Sequence, residues 1–169
     1  MRSFLLAVVA LAAMIRPAHA DTHAAAPDNL AARAQIQRVV EAFRASIIAK
    51  DKSTLGSLFI PIGGSWIMVI GDEMYQRMKA MRPSVAKIKP GTYQEFVDSV
   101  GASHQRWEEI FSNLRIDTDG AVASVYFDYV FLSDDKEKNR GTETWQLVNT
   151  GDGWKISALS YSIDSATLE

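Results

Sequence analysis

Residues 121–163 read AVASVYFDYVFLSDDKEKNRGTETWQLVNTGDGWKISALSYSI. Runs of β-branched and aromatic residues alternate there with short turn sequences, as they do in consecutive β-strands. Together with the run just before them, they predict four strands, at residues 106–117, 121–133, 140–150 and 154–163. The predicted connections are Asp119-Gly120, the charged segment 134–139 and Gly151-Asp152-Gly153. Connections this short join antiparallel neighbours, so the last third of the chain predicts an antiparallel meander.

A long amphipathic helix is predicted upstream of the meander, from Leu30 to Lys50. Its apolar positions follow helical spacing and form one stripe, made of Ile36, Val39, Val40, Phe43 and Ile47. Asp28 or Asn29 is placed to cap the start of this helix. A shorter helix is predicted at residues 53–58.

The next segment mixes strand and helix signals. Residues 65–70, SWIMVI, predict a strand from their aromatic and β-branched content. A short helix is predicted through three methionines at helical spacing, Met74, Met78 and Met81. A brief strand is predicted at residues 85–88.

The chain then turns into a last helix before the meander. Pro90-Gly91 predicts a turn, and Thr92 with Glu95 forms a capping box at the start of this helix. The order of elements predicts one α+β domain, with helices laid on one face of a curved sheet.

Residues 1–20 predict a cleavable secretory signal. Arg2 supplies a positive start, Phe4–Ile15 is a nearly unbroken apolar run, and Ala18-His19-Ala20 has the small-x-small pattern that signal peptidase needs. The apolar run is shorter than the roughly 20 residues that a transmembrane helix needs. We therefore expect cleavage after Ala20, a periplasmic or secreted protein, and no membrane anchor after cleavage.

Removal of the signal leaves 149 residues, which is enough for one compact domain. We place a flexible leader at 21–29, the folded domain at 30–163 and a C-terminal tail at 164–169. Arg2 and Arg16 leave with the signal, so 16 Lys and Arg face 20 Asp and Glu, a formal charge of about −4. This acidic balance argues against nucleic acid as a partner.

Metal and thiol chemistry find no support in the sequence. The chain has no cysteine, which excludes disulfides, thiol catalysis and thiolate metal sites. His104 is the only histidine beyond the signal and leader, and no second ligand pattern accompanies it. The acidic loop at 134–139 lacks the alternating ligand spacing of a calcium site. We predict no metal and no other cofactor.

Several phrases of the sequence resemble one known family. They are Ile36-x-x-Val39-Val40-Glu41-Ala42-Phe43, Gly141-x-Glu143-x-Trp145-x-Leu147 and Gly153-Trp154-Lys155-Ile156-x-x-Leu159-Ser160-Tyr161. On these phrases the domain resembles the NTF2-like (SnoaL-like) superfamily, close to small bacterial members assigned as lumazine-binding or of unknown function. The resemblance implies a cone open at one end, in which a strongly curved, mostly antiparallel sheet wraps around about three N-terminal helices. It also implies frequent dimerisation through the sheet. The superfamily includes both enzymes and binding domains, so the fold alone does not choose a function.

Five aromatic residues form the predicted ligand-binding set: Trp66, Trp107, Tyr129, Trp145 and Tyr161. Ligand cavities are mostly apolar with a few placed polar groups, which is why these rings are candidates. The alternative is that they belong to plain core or to a dimer interface. Tyr161 lies on the opposite alternation to Trp154 and Ile156, so regular alternation would bring at most one of those sets to the cavity.

Asp128 and Glu143 are the candidate catalytic residues, because each is flanked by aromatic or β-branched residues within a strand. Burial there would raise the pKa of a carboxyl towards neutrality, as acid–base catalysis requires. Glu109 is a weaker candidate, because the pair Glu108-Glu109 puts one carboxylate on each face in any register. The alternative for all of them is a solvent-side residue paired with Lys or Arg across the sheet.

Residues 74–89 are rich in positive charge, from Arg77, Lys79, Arg82, Lys87 and Lys89. One hypothesis is a mobile lid that biases the cavity towards anionic or polar aromatic ligands. The alternative is a solvated surface excursion.

Taken together, the sequence favours an exported domain that binds a small aromatic or hydrophobic ligand, without catalysis, as a homodimer. Two alternatives remain open. One is a small cofactor-independent enzyme of the isomerase, dehydratase or hydrolase type, and the other is a dimeric protein-interaction module.

Overall fold

The computed structural model of the protein describes residues 29–166. The predicted signal at 1–20, all of the predicted leader at 21–29 except its last residue, and the last three residues of the tail lie outside the described residues. The helices are α1 Leu30–Ala49, α2 Lys52–Ser57, α3 Asp72–Met81 and α4 Tyr93–Ala102. The strands are β1 Ser65–Ile70, β2 Ile88–Gly91, β3 Trp107–Thr118, β4 Val122–Ser133, β5 Lys136–Asn149, β6 Trp154–Ile163 and β7 Ser165–Ala166.

All described strands belong to one sheet, in the order β2-β1-β6-β5-β4-β3, with β7 paired to β5. Neighbours are antiparallel except β1 and β6, which are parallel. The predicted antiparallel meander is therefore confirmed as β3 to β6. The α+β class and the curved, mostly antiparallel sheet are confirmed as well. No helix within residues 29–166 has the length and apolar character needed to cross a membrane.

The core lies between the concave face of the sheet and helices α1, α2 and α4. Four of the five residues of the predicted α1 stripe are buried and the fifth, Val39, is half-buried against the same core. Phe43 packs against Trp145 of β5 with ring centroids 4.9 Å apart. Leu55 of α2 and Val100 of α4 complete the helical side. Asn29 occupies the N-cap position of α1, but its side chain makes no cap hydrogen bond and reaches the Thr118 carbonyl instead.

Irregularities in three strand pairs bend the sheet. In β3 the pairing shifts between Ser112 and Arg115, next to Asn113 with a φ of 54°. In β6 Ile156 pairs with Leu147 and Ala158 with Gln146, which leaves Ser157 as the extra residue. Extra residues of this kind increase the local twist and curvature of a sheet, which is how a flat meander becomes a cone.

The extra residue in β6 also resets which side chains point inwards. Trp154 and Ile156 are buried in the core, and so is Leu159, although regular alternation would put Leu159 on the other face. Tyr161 follows Leu159 and packs against the same core. Both sets of β6 side chains therefore share the concave face, one on each side of Ser157.

Two predicted connections are strand in the structure. The β4–β5 hairpin turns at Asp134-Asp135 alone, both with positive φ, as a two-residue type I′ turn requires. Residues 136–139 of the predicted loop therefore belong to β5. Pro90-Gly91, predicted as a turn, pairs with β1 in the edge strand β2, where proline is tolerated because no neighbour needs its missing N–H.

Candidate functional site

A cavity of about 190 Å³ lies inside the cone, between α1, α4 and the concave face of the sheet. Its lining residues come from seven elements and are Phe43, Trp66, Phe96, Ser99, Trp107, Glu109, Tyr129, Phe131, Asn139, Glu143 and Tyr161. Most of them are aromatic, and only two carry an ionisable acid. The cavity is therefore an apolar chamber with a small number of polar groups, as ligand sites usually are.

Aromatic pairs build the walls. Trp66 of β1 stacks on Phe96 of α4 at 5.1 Å between centroids and meets Tyr161 edge-on at 6.1 Å. On the far side, Trp107 of β3 packs edge-to-face on Phe131 of β4 at 5.4 Å. These contacts fix the rings in place, so the chamber keeps its shape without depending on a ligand.

Glu143 of β5 brings a carboxyl group into this apolar chamber. Its side chain is buried, and Oε2 accepts a hydrogen bond of 2.7 Å from the indole Nε1 of Trp145. Burial raises the pKa of Glu143 to about 7, against the lowering effect of the Trp145 hydrogen bond. Glu143 therefore changes its protonation state near neutral pH.

Glu109 of β3 is the second acid of the cavity and is only 6% exposed. Its Oε2 has no hydrogen-bond partner among the described residues. Burial, and next the charge of Glu143, raise the pKa of Glu109 well above its usual range, with a smaller opposing effect from Arg44. Two buried carboxyls that repel each other's negative charge will not both ionise readily, so the pair holds at least one proton at neutral pH.

Tyr129 of β4 stands between the strands that carry the two acids. Its hydroxyl donates a 2.9 Å hydrogen bond to the Ser162 carbonyl of β6. Burial first, then the charges of Glu143 and Glu109, raise the pKa of Tyr129. Burial and Glu143 raise the pKa of Tyr161 too. Both phenols therefore stay protonated and neutral through the physiological range.

The carbonyl of Ser162 reaches Tyr129 because Gly141 of β5 leaves room for it. A Cβ at position 141 would lie 2.1 Å from the Ser162 oxygen and 2.7 Å from its carbonyl carbon. Ser162 also binds β5 at the next residue, where its Oγ accepts from the Thr142 amide at 3.0 Å. Gly141 thus lets two strands approach closely at the wall of the cavity.

Four of the five predicted ligand-binding residues line the cavity: Trp66, Trp107, Tyr129 and Tyr161. The fifth, Trp145, is fully buried behind the wall and acts on the cavity through Glu143. Asp128, one of the two catalytic candidates, does not line the cavity. It is half-buried and accepts a 2.6 Å hydrogen bond from Asn113. Glu143 is the catalytic candidate that the fold brings into the chamber.

Glu109 and Asn139 are cavity residues that the sequence argument undervalued or missed. The pairing of β3 with β4 carried the signal for Glu109, because Glu109 and Phe111 lie opposite Phe131 and Tyr129. The sequence predicts Asn139 in the hairpin loop, but the turn takes only two residues and Asn139 pairs with Phe131 as part of β5.

The basic segment at 74–89 does not close over the cavity. Arg77, Lys79 and Arg82 are exposed and line neither the cavity nor the recess beside it. Met74 is buried, and Lys87 forms an ion pair with Asp72, so the first turn of α3 is fixed.

A second, outer recess of about 350 Å³ shares Trp66, Phe96, Ser99 and Tyr161 with the cavity. Lys89 is the one basic residue among the residues that line it. The recess therefore adjoins the chamber at the Trp66 side. Within residues 29–166, no three His, Asp or Glu side chains come together as metal ligands, and His104 is exposed.

The fold has several solved counterparts. An NTF2-like protein of unknown function from Pseudomonas putida superposes with a TM-score of 0.62 at 12% identity, over 83% of this chain and 96% of that chain. A candidate scytalone dehydratase from Novosphingobium aromaticivorans gives 0.60 at 16% identity, over 82% and 88%. A candidate dehydratase of the NTF2-like family from Streptomyces avermitilis gives 0.56 at 20% identity, over 79% and 96%.

These likenesses show that the chain has the NTF2-like fold, which confirms the fold implied by the sequence resemblance. No family model matches the chain, and no curated protein matches it. The identities are too low to transfer an activity from any of these structures.

Proposed function

We propose that this NTF2-like domain is an exported binding protein for a small ligand, held in the aromatic cavity. The observation that carries the proposal is an apolar chamber that holds two buried carboxyls, one of which has an oxygen without a hydrogen-bond partner among the described residues. A chamber of this kind is costly to maintain unless a ligand makes use of it, because a buried acid without a matched partner opposes folding.

The volume of the cavity limits the ligand to about one ring. Cavities for drug-sized ligands measure roughly 300–1,000 Å³, whereas an apolar cavity of about 150 Å³ takes a benzene molecule. At about 190 Å³ the chamber fits a single aromatic or alicyclic ring with a short substituent. Larger ligands would have to extend into the outer recess past Trp66 and Tyr161.

The free Oε2 of Glu109 favours a ligand with a hydrogen-bond donor. A buried polar atom without a partner costs on the order of 1–3 kcal/mol, and a donor on the ligand would recover that cost. The ligand is therefore apolar over most of its surface and polar at one end, where it meets the two acids.

The export signal at residues 1–20 supports a ligand that is met outside the cytoplasm. The n-region, apolar run and Ala18-His19-Ala20 pattern are the features that carry this part of the proposal.

A titration with phenol, followed by calorimetry, tests the binding proposal on the mature chain. We expect saturable binding at one site, lost in Ser99→Phe, because Ser99 lies at the cavity on an exposed face of α4 and a ring there fills the chamber. Gln94→Phe is the matched control, since it adds the same ring to the same helix at an exposed position that lines neither the cavity nor the recess. Equal phenol binding by both variants would contradict the proposal.

A cofactor-independent acid–base enzyme is the second candidate function, and the raised pKa of Glu143 favours it. In that case a ligand retained from the native compartment would be converted, and Glu143→Gln would stop conversion while the protein still binds it. Asp128→Asn is the control, because Asp128 lies off the cavity. Retained ligand that leaves the wild-type protein unchanged would rule the enzyme out.

A further inference from the structure

The charged groups of the cavity wall all have one sign. Among its lining residues the only ionisable acids are Glu109 and Glu143, and no Lys, Arg or His is present. Both acids are at least nine-tenths buried, and the Oε2 atom of Glu109 has no partner among the described residues. The wall can therefore complement positive charge, and none of its lining residues offers a positive charge to a carboxylate or phosphate.

The aromatic walls of the cavity also favour a positively charged ligand. The faces of Trp, Tyr and Phe rings carry partial negative charge and attract cations within about 6 Å, most strongly where water is excluded. Seven of the eleven lining residues are aromatic, and Trp66 and Trp107 stand on opposite sides of the chamber. Aromatic rings that surround buried acids are the arrangement that proteins use to hold organic ammonium groups.

The nearest cations of the protein do not fill this role themselves. Arg44 of α1 uses its Nε to bind the backbone oxygen of Glu109 at 3.0 Å and lies over the Phe111 ring at 5.8 Å. Its charge lowers the pKa of Glu109 only as a minor influence, and it does not line the cavity. Lys89 lines the outer recess but not the cavity. Of the five basic residues of segment 74–89, only Lys89 lines the recess and none lines the cavity, so the cavity itself gives the hypothesis of a bias towards anionic ligands no support.

We infer that the ligand is a small organic cation, a single ring or a group of that size bearing an ammonium or amidinium group that Glu109 and Glu143 hold between the aromatic walls. This inference rests on the proposed function, because it names the class of ligand for the same cavity. No Lys, Arg or His lines the cavity, so in the empty cavity the pair of acids keeps a proton instead. A bound cation takes the place of that proton and gives the Oε2 of Glu109 a charged donor.

Three probes of nearly equal size separate the alternatives: benzylamine as the cation, benzyl alcohol as the neutral analogue and benzoate as the anion. Calorimetric titrations of the mature chain at neutral pH measure each Kd. Hydrogen bonds to charged partners are stronger than neutral ones, so we expect benzylamine to bind about tenfold or more tightly than benzyl alcohol. We expect no saturable binding of benzoate.

The variant Glu109→Gln tests whether the acid is responsible. We expect it to weaken benzylamine binding by about tenfold while benzyl alcohol binding stays within about threefold, because the amide keeps the size and polarity of the side chain but not its charge. Glu108→Gln is the matched control and should change neither Kd. Its carboxylate is the neighbouring one in β3, pairs with Arg106 at 3.0 Å and does not line the cavity.

The outcomes distinguish the inference from the function it rests on. Benzyl alcohol or benzoate binding as tightly as benzylamine, or a benzylamine Kd unchanged in Glu109→Gln, would overturn the inference and leave a neutral- or anion-binding cavity. If none of the three probes binds at millimolar concentration, the proposed binding function fails together with the inference. Thermal unfolding of each variant, measured in parallel, shows whether it is folded under the titration conditions.

Discussion

Trp145 shows how a single residue can serve a site without touching it. Its ring is fully buried against Phe43 and Phe127, and its Nε1 donates to Glu143, two residues earlier on the same face of β5. Strand alternation placed the two residues together, but it could not show that the indole turns back towards the carboxyl. The role of Trp145 is to hold Glu143 in position.

We predict that Trp145→Phe raises the pKa of Glu143 and lowers the free energy of unfolding by about 1–3 kcal/mol, because it removes a donor from a buried carboxyl. Carbon-13 NMR titration of the Glu side chains measures the first effect, and denaturant unfolding measures the second. Trp154→Phe is the control, since its Nε1 binds Gln35 instead. A Glu143 pKa that is the same in both variants would contradict the role given to Trp145.

The free energy of unfolding of the unliganded protein should depend on pH through the buried acids of the cavity, Glu143 among them. Glu143 has a pKa of about 7 in the folded state against 4.5 in its usual surroundings. The folded state therefore binds more protons than the unfolded state between these values, and the free energy of unfolding must fall as pH rises from about 4.5 to about 7. The full loss from Glu143 is on the order of 3 kcal/mol.

Denaturant unfolding between pH 5 and 8 checks this, with Glu143→Gln as the comparison. The variant should lose the part of the decline that Glu143 causes and become more stable than the wild type at pH 8, while Glu109, whose pKa is also raised, keeps a decline of its own. A decline of equal size in both proteins would assign the pH dependence to other groups.

At the scale of elements, the close approach of β5 and β6 at Gly141 is the most demanding feature. We predict that Gly141→Ala lowers the free energy of unfolding by roughly 2–4 kcal/mol, because the new Cβ would meet the Ser162 backbone rather than a side chain that can move. Urea unfolding is the measurement. Gly56→Ala in α2 is the control and should be neutral or stabilise by up to about 1 kcal/mol, since its Cβ would meet Val97 at an ordinary 4.0 Å. Equal effects of both substitutions would show that β6 can move away from β5.

Elements with strong local signals were predictable from the sequence. The stripe of α1 and the Thr92 capping box of α4 are confirmed in the structure, because each is decided by residues within one or two turns. The bulges were not predictable. Neither Asn113 nor Ser157 is a residue type that marks a bulge, and both are fixed by pairing with distant strands. Because bulges reset alternation, the site that depends on them could be predicted only in part.

Four aromatic members of the cavity and Glu143 were predicted from composition and alternation, whereas Glu109 was only a weaker candidate. Because the neighbour of Glu109 is also Glu, only the register with β4 shows which of the two faces inwards. The sequence thus predicted an aromatic cavity, but only the folded structure shows that both of its ionisable acids face into it.

For the whole molecule, the homodimer expected from the sequence remains a prediction. The outer face of the sheet exposes Ile110 and Leu114 of β3 and Val122 of β4, with 44%, 37% and 54% of their surfaces accessible. Sedimentation velocity should show a dimer that Ile110→Arg converts to a monomer, because a charge there would be buried without a partner. Ile48→Arg is the control, since Ile48 is 45% exposed on α1. A wild-type monomer at micromolar concentration would contradict this arrangement.

Export is the second prediction at this scale. Intact mass spectrometry of the protein from its native host should give a chain that begins at Asp21, because Ala18-His19-Ala20 is the predicted cleavage pattern. Replacement of Ala18 and Ala20 by bulky residues should leave the unprocessed chain in the membrane fraction. A cytoplasmic protein that keeps Met1 would contradict export.

The extra residue at Ser157 divides β6 into two stretches, one that packs against the helices and one that lines the cavity. Before it, Trp154 and Ile156 complete the packing under α1; after it, Tyr161 faces the chamber and Ser162 holds Tyr129. A change of preference for one ligand over another can therefore arise in the later stretch while the earlier one keeps the helices in place. Ser157 therefore marks a boundary in β6, beyond which substitutions can change ligand specificity without disturbing the packing against the helices.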